Sequence, residues 1–260
     1  MKKGIIVVSF GTTYEKTRKL CIESIENRIK EEYKDYLVLR AFTSQMVINK
    51  LKKRDNYIVD NPKEALERMK KEGVEDIYIQ PLHIILGHEY EKLMGQVEEF
   101  LEESHNCFIK VGKPLLYEDM DYHKAVEGLE LSDIGEKEAI VFMGHGTDHE
   151  VDKSYEKLEK VFRQKGHENV YIGTVEGKIT IEEIIPKLKA KSIEKIILRP
   201  FMLVAGDHAI NDMASEDEDS WASILKSNGF NVESQIKGLG EIKAIQNIYL
   251  EHLKSINTEE

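Results

Sequence analysis

Two histidines and a glutamate in the second half of the chain are of types that bind metal ions. His145, Glu176 and His208 each come shortly after an apolar run, and successive members are separated by about one strand-helix repeat. Because parallel strands end at the same edge of a sheet, this spacing brings the three side chains towards one point. Two imidazoles and one carboxylate suit a borderline divalent metal and leave coordination positions open for a substrate.

Ordinary structural roles are also open for these residues. The Gly-His-Gly-Thr turn around His145 could hold its histidine only as a hydrogen-bonded loop residue, and Glu176 could cap the helix that follows it. The matching positions in the first half of the chain are mostly not metal ligands. They are Phe10, Thr43 and Glu89. We therefore expect an asymmetric cleft, with a metal on one wall and an apolar or shaping wall opposite.

The elements that position these residues alternate between strand and helix. Short β-branched, apolar runs are separated by longer charged segments of helical period, which is typical of βαβ units around a parallel sheet. Amphipathic helices are expected between the strands, for example over 14–31. The predicted strands are 4–10, 37–42, 76–85, 138–143, 169–174 and 194–204, with a weaker one near 230–236.

The same pattern occurs twice along the chain. GIIVVSFGTTYEK matches AIVFMGHGTDHEV, and DIYIQPLHIILGHE matches KIILRPFMLVAGDH without a gap. We predict an α/β fold of two similar Rossmann-like lobes with parallel sheets, related by internal duplication. The polar segment 118–135 joins an N-terminal lobe, 1–126, to a C-terminal lobe, 127–260, that carries the metal ligands, and the last helix is free to cross back to the first lobe.

Composition disfavours several classes of protein. The 37 basic and 48 acidic side chains leave a formal charge of -11, which argues against a nucleic-acid partner and favours cations. Cys21 and Cys107 stand far apart, which argues against a disulfide framework and fits a cytoplasmic location. No apolar run is long enough for a membrane helix, so we expect no membrane partner.

Other motifs are incomplete. His88-Glu89 begins like a zincin helix, but Lys92 stands where the second histidine is needed. Gly144-His-Gly146 begins a dinucleotide fingerprint whose third glycine is missing. These observations argue against a metalloprotease and against dinucleotide binding. Four further histidines in charged segments are expected at the surface: His105, His123, His167 and His252.

Several long motifs in the same order resemble those of the anaerobic cobaltochelatases of cobalamin synthesis, class II chelatases with a ferrochelatase-like fold. The resemblance runs nearly end to end. It is carried by Ser9-Phe-Gly-Thr12, the segment Pro81–Lys92, Met143-Gly-His-Gly-Thr147, the segment Gly173–Gly177 and the segment Pro200–Trp221.

This resemblance implies a reaction and a set of residues. The family inserts divalent cobalt, a substrate, into the tetrapyrrole sirohydrochlorin without ATP or an organic cofactor. The implied metal ligands are His145, Glu176 and His208, with Glu89 also in the cleft, and catalytic roles are expected for His145, as the base, and Glu89. The expected substrate-binding residues are Ser9, Phe10, Gly11, Thr12, His83, Gly87, Gly146 and Thr147.

Two features of the chemistry constrain this hypothesis. A metal-bound imidazole nitrogen cannot accept a proton at the same moment, so the two roles of His145 are sequential or Glu89 shares them. The substrate is a polycarboxylate and the chain is acidic, so local compensation is needed. It is expected from backbone N–H groups at Gly11-Thr12 and Gly146-Thr147, with Lys178 or Arg199.

Other functions remain open at this stage. The same residues would serve an iron or nickel chelatase for a related tetrapyrrole, because ligand type does not select among these metals. They would also serve a non-catalytic carrier of metal or tetrapyrrole, or a metal-dependent hydrolase. The oligomeric state is open, and a homo-oligomer is compatible with the sequence.

Overall fold

The computed structural model describes residues 2–104, 107–129, 131, 134–148 and 150–258. It divides the chain into two units. The first unit comprises Met1–Tyr117 with Lys243–Glu260, and the second comprises Glu118–Ile242. Among the described residues, no helix is both long and apolar enough to cross a membrane.

Strands and helices alternate along the described residues. The strands are β1 (Lys2–Ser9), β2 (Leu37–Phe42), β3 (Val74–Pro81), β4 (Phe108–Val111), β5 (Glu138–Gly144), β6 (Val170–Thr174), β7 (Lys195–Pro200) and β8 (Asn231–Ser234). The α-helices are α1 (Glu15–Thr17), α2 (Ser24–Glu32), α3 (Gln45–Asp55), α4 (Pro62–Lys71), α5 (His88–Glu103), α6 (Asp119–Gly128), α7 (Lys153–Gln164), α8 (Ile181–Ala190), α9 (Trp221–Ser227) and α10 (Lys243–Ile256). Shorter helical segments are the π-helical Arg18–Glu23 and Ala209–Met213 and the 3-10 turns Glu150–Asp152 and Leu239–Glu241.

Each unit contains one parallel sheet, and the two sheets have the same strand order. The first runs β2-β1-β3-β4 and the second β6-β5-β7-β8. Every pair of neighbouring strands is parallel. The central strands are buried on both faces, since residues 5–8 of β1 and 139–143 of β5 are all at most 2% exposed. The predicted α/β fold of two similar lobes is confirmed.

The strand predictions were wrong in two respects. β4 was not predicted, because this four-residue edge strand contains no fully buried residue and therefore shows no apolar run. The strands predicted to reach residues 85 and 204 end at Pro81 and Pro200 instead. Proline has no N–H to donate to the ladder, so it suits a strand end.

The boundary between units lies at residue 118 rather than 127. The cause is α6, which packs on α7 of the second unit and is tied to it by ion pairs from Lys157 to Asp119 and from Lys165 to Glu127. The predicted boundary lies within α6 and would have assigned most of α6 to one lobe and its packing partner α7 to the other.

The last helix belongs to the first unit. In α10, the Tyr249 hydroxyl donates to the Leu82 carbonyl at 3.1 Å, and Arg28 of α2 donates to Asn247 at 2.6 Å. His252 lies on the same helix and is buried, contrary to its expected surface position, with Nδ1 3.2 Å from the Lys113 carbonyl oxygen. His105 lies outside the described residues.

Candidate functional site

His145 and Glu176 lie side by side at the carboxyl end of the second sheet. β5 and β6 are paired up to Gly144 and Thr174, and the pairing continues into the loops beyond them. The N–H of Glu176 donates to the His145 carbonyl at 2.8 Å, and the N–H of Val175 donates to that of Gly144 at 3.1 Å. The backbone of two neighbouring crossover units therefore holds these two residues next to each other.

The structure brings His208 to the same place. The rings of His145 and His208 meet edge to face with centroids 4.8 Å apart. Oε2 of Glu176 lies 3.8 Å from Nδ1 of His145. All three predicted metal ligands are therefore in contact, directly or through His145.

Both imidazoles have a defined tautomer in their neutral form. Nδ1 of His145 lies 3.1 Å from the carbonyl oxygen of Gly146, and Nδ1 of His208 is hydrogen bonded to the Asp212 carboxylate. Carbonyl and carboxylate oxygens accept, so each contact places the proton on Nδ1 and leaves the lone pair on Nε2. A carboxylate on the far nitrogen is the usual partner of a metal-binding histidine.

Asp212 was not identified by the sequence analysis. His208 directly precedes the π-helical segment Ala209–Met213, and one turn of helix places Asp212 against it. π-Helical turns are frequent at functional sites. The spacing of four residues on a helix was a usable signal for this pair.

The three side chains are not yet arranged as a metal site. Among the described residues, no group of three His, Cys, Asp or Glu side chains is placed to hold a metal ion. The Glu176 carboxylate lies 3.8 Å from Nδ1 of His145, the nitrogen that also contacts the Gly146 carbonyl oxygen. The side chains of Glu176 and His145 are 60% and 46% exposed, so rotation about their side-chain bonds is open to them.

Glu176 does not cap the helix that follows it, α8. Thr180 is the N-cap of α8, and its hydroxyl and the Glu183 carboxylate together form a capping box. The helix start is thus satisfied by other residues. Glu176 keeps an exposed carboxylate beside a histidine.

Four predicted substrate-binding residues lie at the end of β1 and in the loop after it in the first unit. Ser9 and Thr12 are buried, and the Ser9 hydroxyl has no hydrogen-bond partner. Phe10 is 44% exposed, although it is a large aromatic residue. Gly11 has φ of 96°, and a Cβ there would lie 2.5 Å from the Phe42 ring, so glycine is required.

Glu89 lies in the first turn of α5, which begins after the predicted substrate-binding residue Gly87. Its carboxylate accepts a hydrogen bond from the Thr43 hydroxyl and lies 3.9 Å from Nζ of Lys92. The side chain of Glu89 is thus positioned by Thr43 and Lys92.

His83 is buried within the first unit. Neither of its ring nitrogens has a hydrogen-bond partner, and its ring meets that of Tyr90 edge to face at 6.3 Å. Burial lowers the pKa of His83 to about 4, because the charged form loses its hydration. His83 is therefore a neutral imidazole at physiological pH.

The pairing of Thr43 with Glu176 across the two halves was wrong by one residue. In the first unit the N–H of Ser44 donates to the Phe10 carbonyl at 3.3 Å. In the second unit the N–H of Glu176 donates to the carbonyl of His145, which is the residue that matches Phe10. Ser44 is therefore the counterpart of Glu176. The two halves match only weakly in this segment, and no shared proline or glycine fixes their alignment. The alignment was therefore shifted by one residue.

Some of the groups expected to compensate the negative charge of the substrate have other partners in the structure. The N–H of Thr147 donates to Asp152 at 3.2 Å, and Gly146 is in a left-handed conformation with φ of 81°. Arg199 lies over the Phe142 ring on the sheet, 5.4 Å from its centroid. Lys178, two residues after Glu176, is exposed.

Comparison with known proteins identifies relatives over almost the whole chain. A family model described as "Cobalt chelatase (CbiK)" matches residues 3–258. The "Sirohydrochlorin cobaltochelatase" of Salmonella typhimurium is 37% identical over 97% of this chain and 96% of its own length. The "Sirohydrochlorin cobaltochelatase CbiKC" of Nitratidesulfovibrio vulgaris is 34% identical over 97% of this chain and 89% of its own.

A solved structure shares the fold. SirB from Bacillus subtilis with Fe3+ superposes with a TM-score of 0.70 at 15% identity, covering 98% of this chain and 96% of that chain. At this level of identity the likeness concerns the arrangement of strands and helices.

Proposed function

The chain belongs to the cobalt chelatase family, and from this premise we propose that it inserts divalent cobalt into sirohydrochlorin, without ATP or an organic cofactor. The observation that carries the proposal is the meeting of His145, Glu176 and His208 at the carboxyl end of the second sheet. Cobalt is a substrate of this reaction, and two cysteines far apart in the sequence fit a cytoplasmic setting.

We propose that Nε2 of each histidine and the Glu176 carboxylate hold the incoming ion. Three protein ligands leave positions open for pyrrole nitrogens, so the macrocycle can replace the protein ligands stepwise. We propose that the exposed Glu176 side chain rotates from its position near Nδ1 of His145 to complete the site. A site assembled from exposed side chains holds the ion weakly enough to release it into the product.

Insertion displaces the inner N–H protons of the tetrapyrrole, so a proton acceptor is needed. We propose His145 as the first base, accepting a proton on Nε2 once that nitrogen has released the metal. Glu89 is the second candidate, with its carboxylate held by Thr43 and Lys92. Of the other residues expected to contact substrate, Phe10 offers an exposed aromatic surface.

The decisive experiment incubates the pure protein with sirohydrochlorin and divalent cobalt and follows tetrapyrrole absorption against a protein-free control. Many turnovers per protein molecule support a chelatase. A single stoichiometric change supports a carrier and refutes catalysis. Iron and nickel are tested in parallel, and a higher kcat/KM for either one would replace cobalt as the physiological metal in this proposal.

Salt dependence tests how the substrate charge is compensated. Because the chain carries a formal charge of -11, a polycarboxylate must meet local positive charge such as that of Lys178. We expect KM for sirohydrochlorin to rise with ionic strength, and Lys178→Gln to reduce that dependence. A KM that ignores salt would remove charge compensation from the proposal.

A further inference from the structure

A buried carboxylate lies beneath the two loops that carry His145 and Glu176. Asp152 is at the N-cap position of α7, where an aspartate normally accepts a hydrogen bond from its own helix. Its side chain makes no such bond, although the residue is only 4% exposed. The carboxylate is therefore committed elsewhere.

Each oxygen of Asp152 accepts an N–H from a different loop. Oδ1 accepts from Thr147 at 3.2 Å, two residues after His145. Oδ2 accepts from Lys178 at 2.9 Å, two residues after Glu176. One side chain thus connects the β5-α7 loop to the β6-α8 loop.

The space around this connection is filled. A Cβ added to Gly177 would lie 2.4 Å from Oδ1 of Asp152, and one added to Gly146 would lie 2.4 Å from the Gly177 nitrogen. Tyr155, a buried residue of α7, packs against the same loop, since a Cβ added to Gly144 would lie 2.6 Å from its ring. The two loops therefore pack backbone against backbone, with the carboxylate between them and α7.

We propose that Asp152 is a positioning residue that sets the separation of His145 and Glu176 and thereby the affinity of the site for cobalt. This inference rests on the proposed function and assigns a role to a residue that does not itself contact the metal. Two donors on opposite oxygens require a group that accepts on both, and a carboxylate is such a group.

Asp152→Asn tests this requirement with almost no change of shape. An amide keeps one accepting oxygen but turns its NH2 towards the other N–H, so one of the two loops must move. We expect the Co2+ concentration at half-maximal rate to rise at least tenfold, in the range typical of groups that orient metal ligands. KM for sirohydrochlorin should stay within about twofold of the wild-type value, and saturating Co2+ should restore most of kcat.

The matched control is Asp121→Asn. Asp121 is also buried in the second unit, and its Oδ2 accepts the N–H of Glu118 at 2.7 Å at the start of α6, outside the ligand loops. A purely structural role of Asp152 would lower the unfolding midpoint in both variants and leave the Co2+ requirement unchanged in both. Equal Co2+ requirements in the two variants would overturn the inference.

A direct measurement separates this inference from the proposed function. Co2+ bound by histidine gives visible absorption bands, and titration of wild type, Asp152→Asn and Asp121→Asn with Co2+ alone measures affinity without turnover. Weaker binding only in Asp152→Asn supports the inference even if the wild type fails to insert cobalt, which would refute the proposed function. If Asp152→Asn does not fold, Gly177→Ala displaces the carboxylate from the other side, and unchanged Co2+ affinity in that variant overturns the inference.

Discussion

The two units place the same backbone arrangement at the ends of their strands and attach different side chains to it. In the first unit the N–H of Thr43 donates to the Ser9 carbonyl at 2.9 Å, and in the second that of Val175 donates to Gly144 at 3.1 Å. The loop geometry is therefore a property of the repeated fold. Whether an edge can bind a metal depends on the side chains placed on it.

The side chains at matching positions differ in chemistry, and the pair Ser44 and Glu176 also differs in exposure, since Ser44 is buried. Phe10 is 44% exposed and the side chain of His145, its counterpart, is 46% exposed. Ser44 accepts from the N–H of Val47 and so caps α3, whereas Glu176 caps nothing. The first edge has an exposed aromatic residue and a helix cap at these positions, and the second has two of the proposed metal ligands.

The largest effect on the rate of cobalt insertion is expected when His145 is replaced by phenylalanine, the residue at the matching position 10 of the first unit. We expect His145→Phe to lower the rate of cobalt insertion roughly 100-fold to 10,000-fold, because it removes both a ligand and the proposed base. The unfolding midpoint should change little, since Phe10 occupies the matching position. Tetrapyrrole absorption measures the rate, and His167→Ala serves as the control; a normal rate in His145→Phe would remove this residue from the mechanism.

The second exchange concerns the carboxylate. We expect Glu176→Ser, which introduces the residue found at Ser44, to raise the Co2+ concentration at half-maximal rate about 10-fold to 100-fold. Glu182→Gln, on the exposed first turn of α8, is the matched loss of one negative charge and should leave that concentration unchanged. Equal effects in the two variants would mean that Glu176 contributes only charge.

The third comparison concerns His83, whose counterpart in the second unit is the buried Met202. A histidine titrates near 6.5 when unfolded, but the pKa of buried His83 is about 4, so between these values the unfolded chain binds more protons. Stability is therefore lost as the pH falls through this window, by up to about 3 kcal/mol. Urea unfolding between about pH 7 and about pH 4 should show His83→Met losing less than wild type; parallel curves would contradict the buried, neutral state.

The smallest expected effect separates backbone conformation from packing. Gly146 and Gly166 have φ of 81° and 82°, but a Cβ at Gly146 would meet the Gly177 nitrogen, whereas at Gly166 it would meet nothing within 4 Å. We expect Gly146→Ala to cost about 1–3 kcal/mol more than Gly166→Ala, measured by urea unfolding. Equal losses of unfolding free energy in the two variants would mean that the loops around Gly146 can move to accommodate a Cβ at little cost.

The sheets could be predicted because buried parallel strands are continuous apolar runs. Residues 5–8 and 139–143 show such runs, and the matching prolines and glycines revealed the repeat. β4 carries Phe108 half exposed at a sheet edge and gives no such signal. The return of α10 to the first unit is decided by contacts between residues distant in sequence, such as Tyr249 and Leu82.

The proposed ligand residues could be placed near one another because each follows a strand, and parallel strands end at the same edge of the sheet. Asp152 could not, since an aspartate before a helix is ordinarily a cap, and its bond to Lys178 depends on how two loops fold over it. The side-chain rotamers at the site could not be predicted from the sequence either. No sequence pattern indicates that the Glu176 carboxylate lies 3.8 Å from Nδ1 of His145.

The position of α10 also sets the order in which the molecule can be completed during translation. The ribosome makes this helix only after the entire second unit, yet Tyr249, Asn247 and His252 on it pack into the first unit. The first unit to be synthesised is therefore the last to be closed, and until then its apolar surface facing α10 is uncovered. At that stage of synthesis all residues of the second unit have been made, while the first unit still lacks α10.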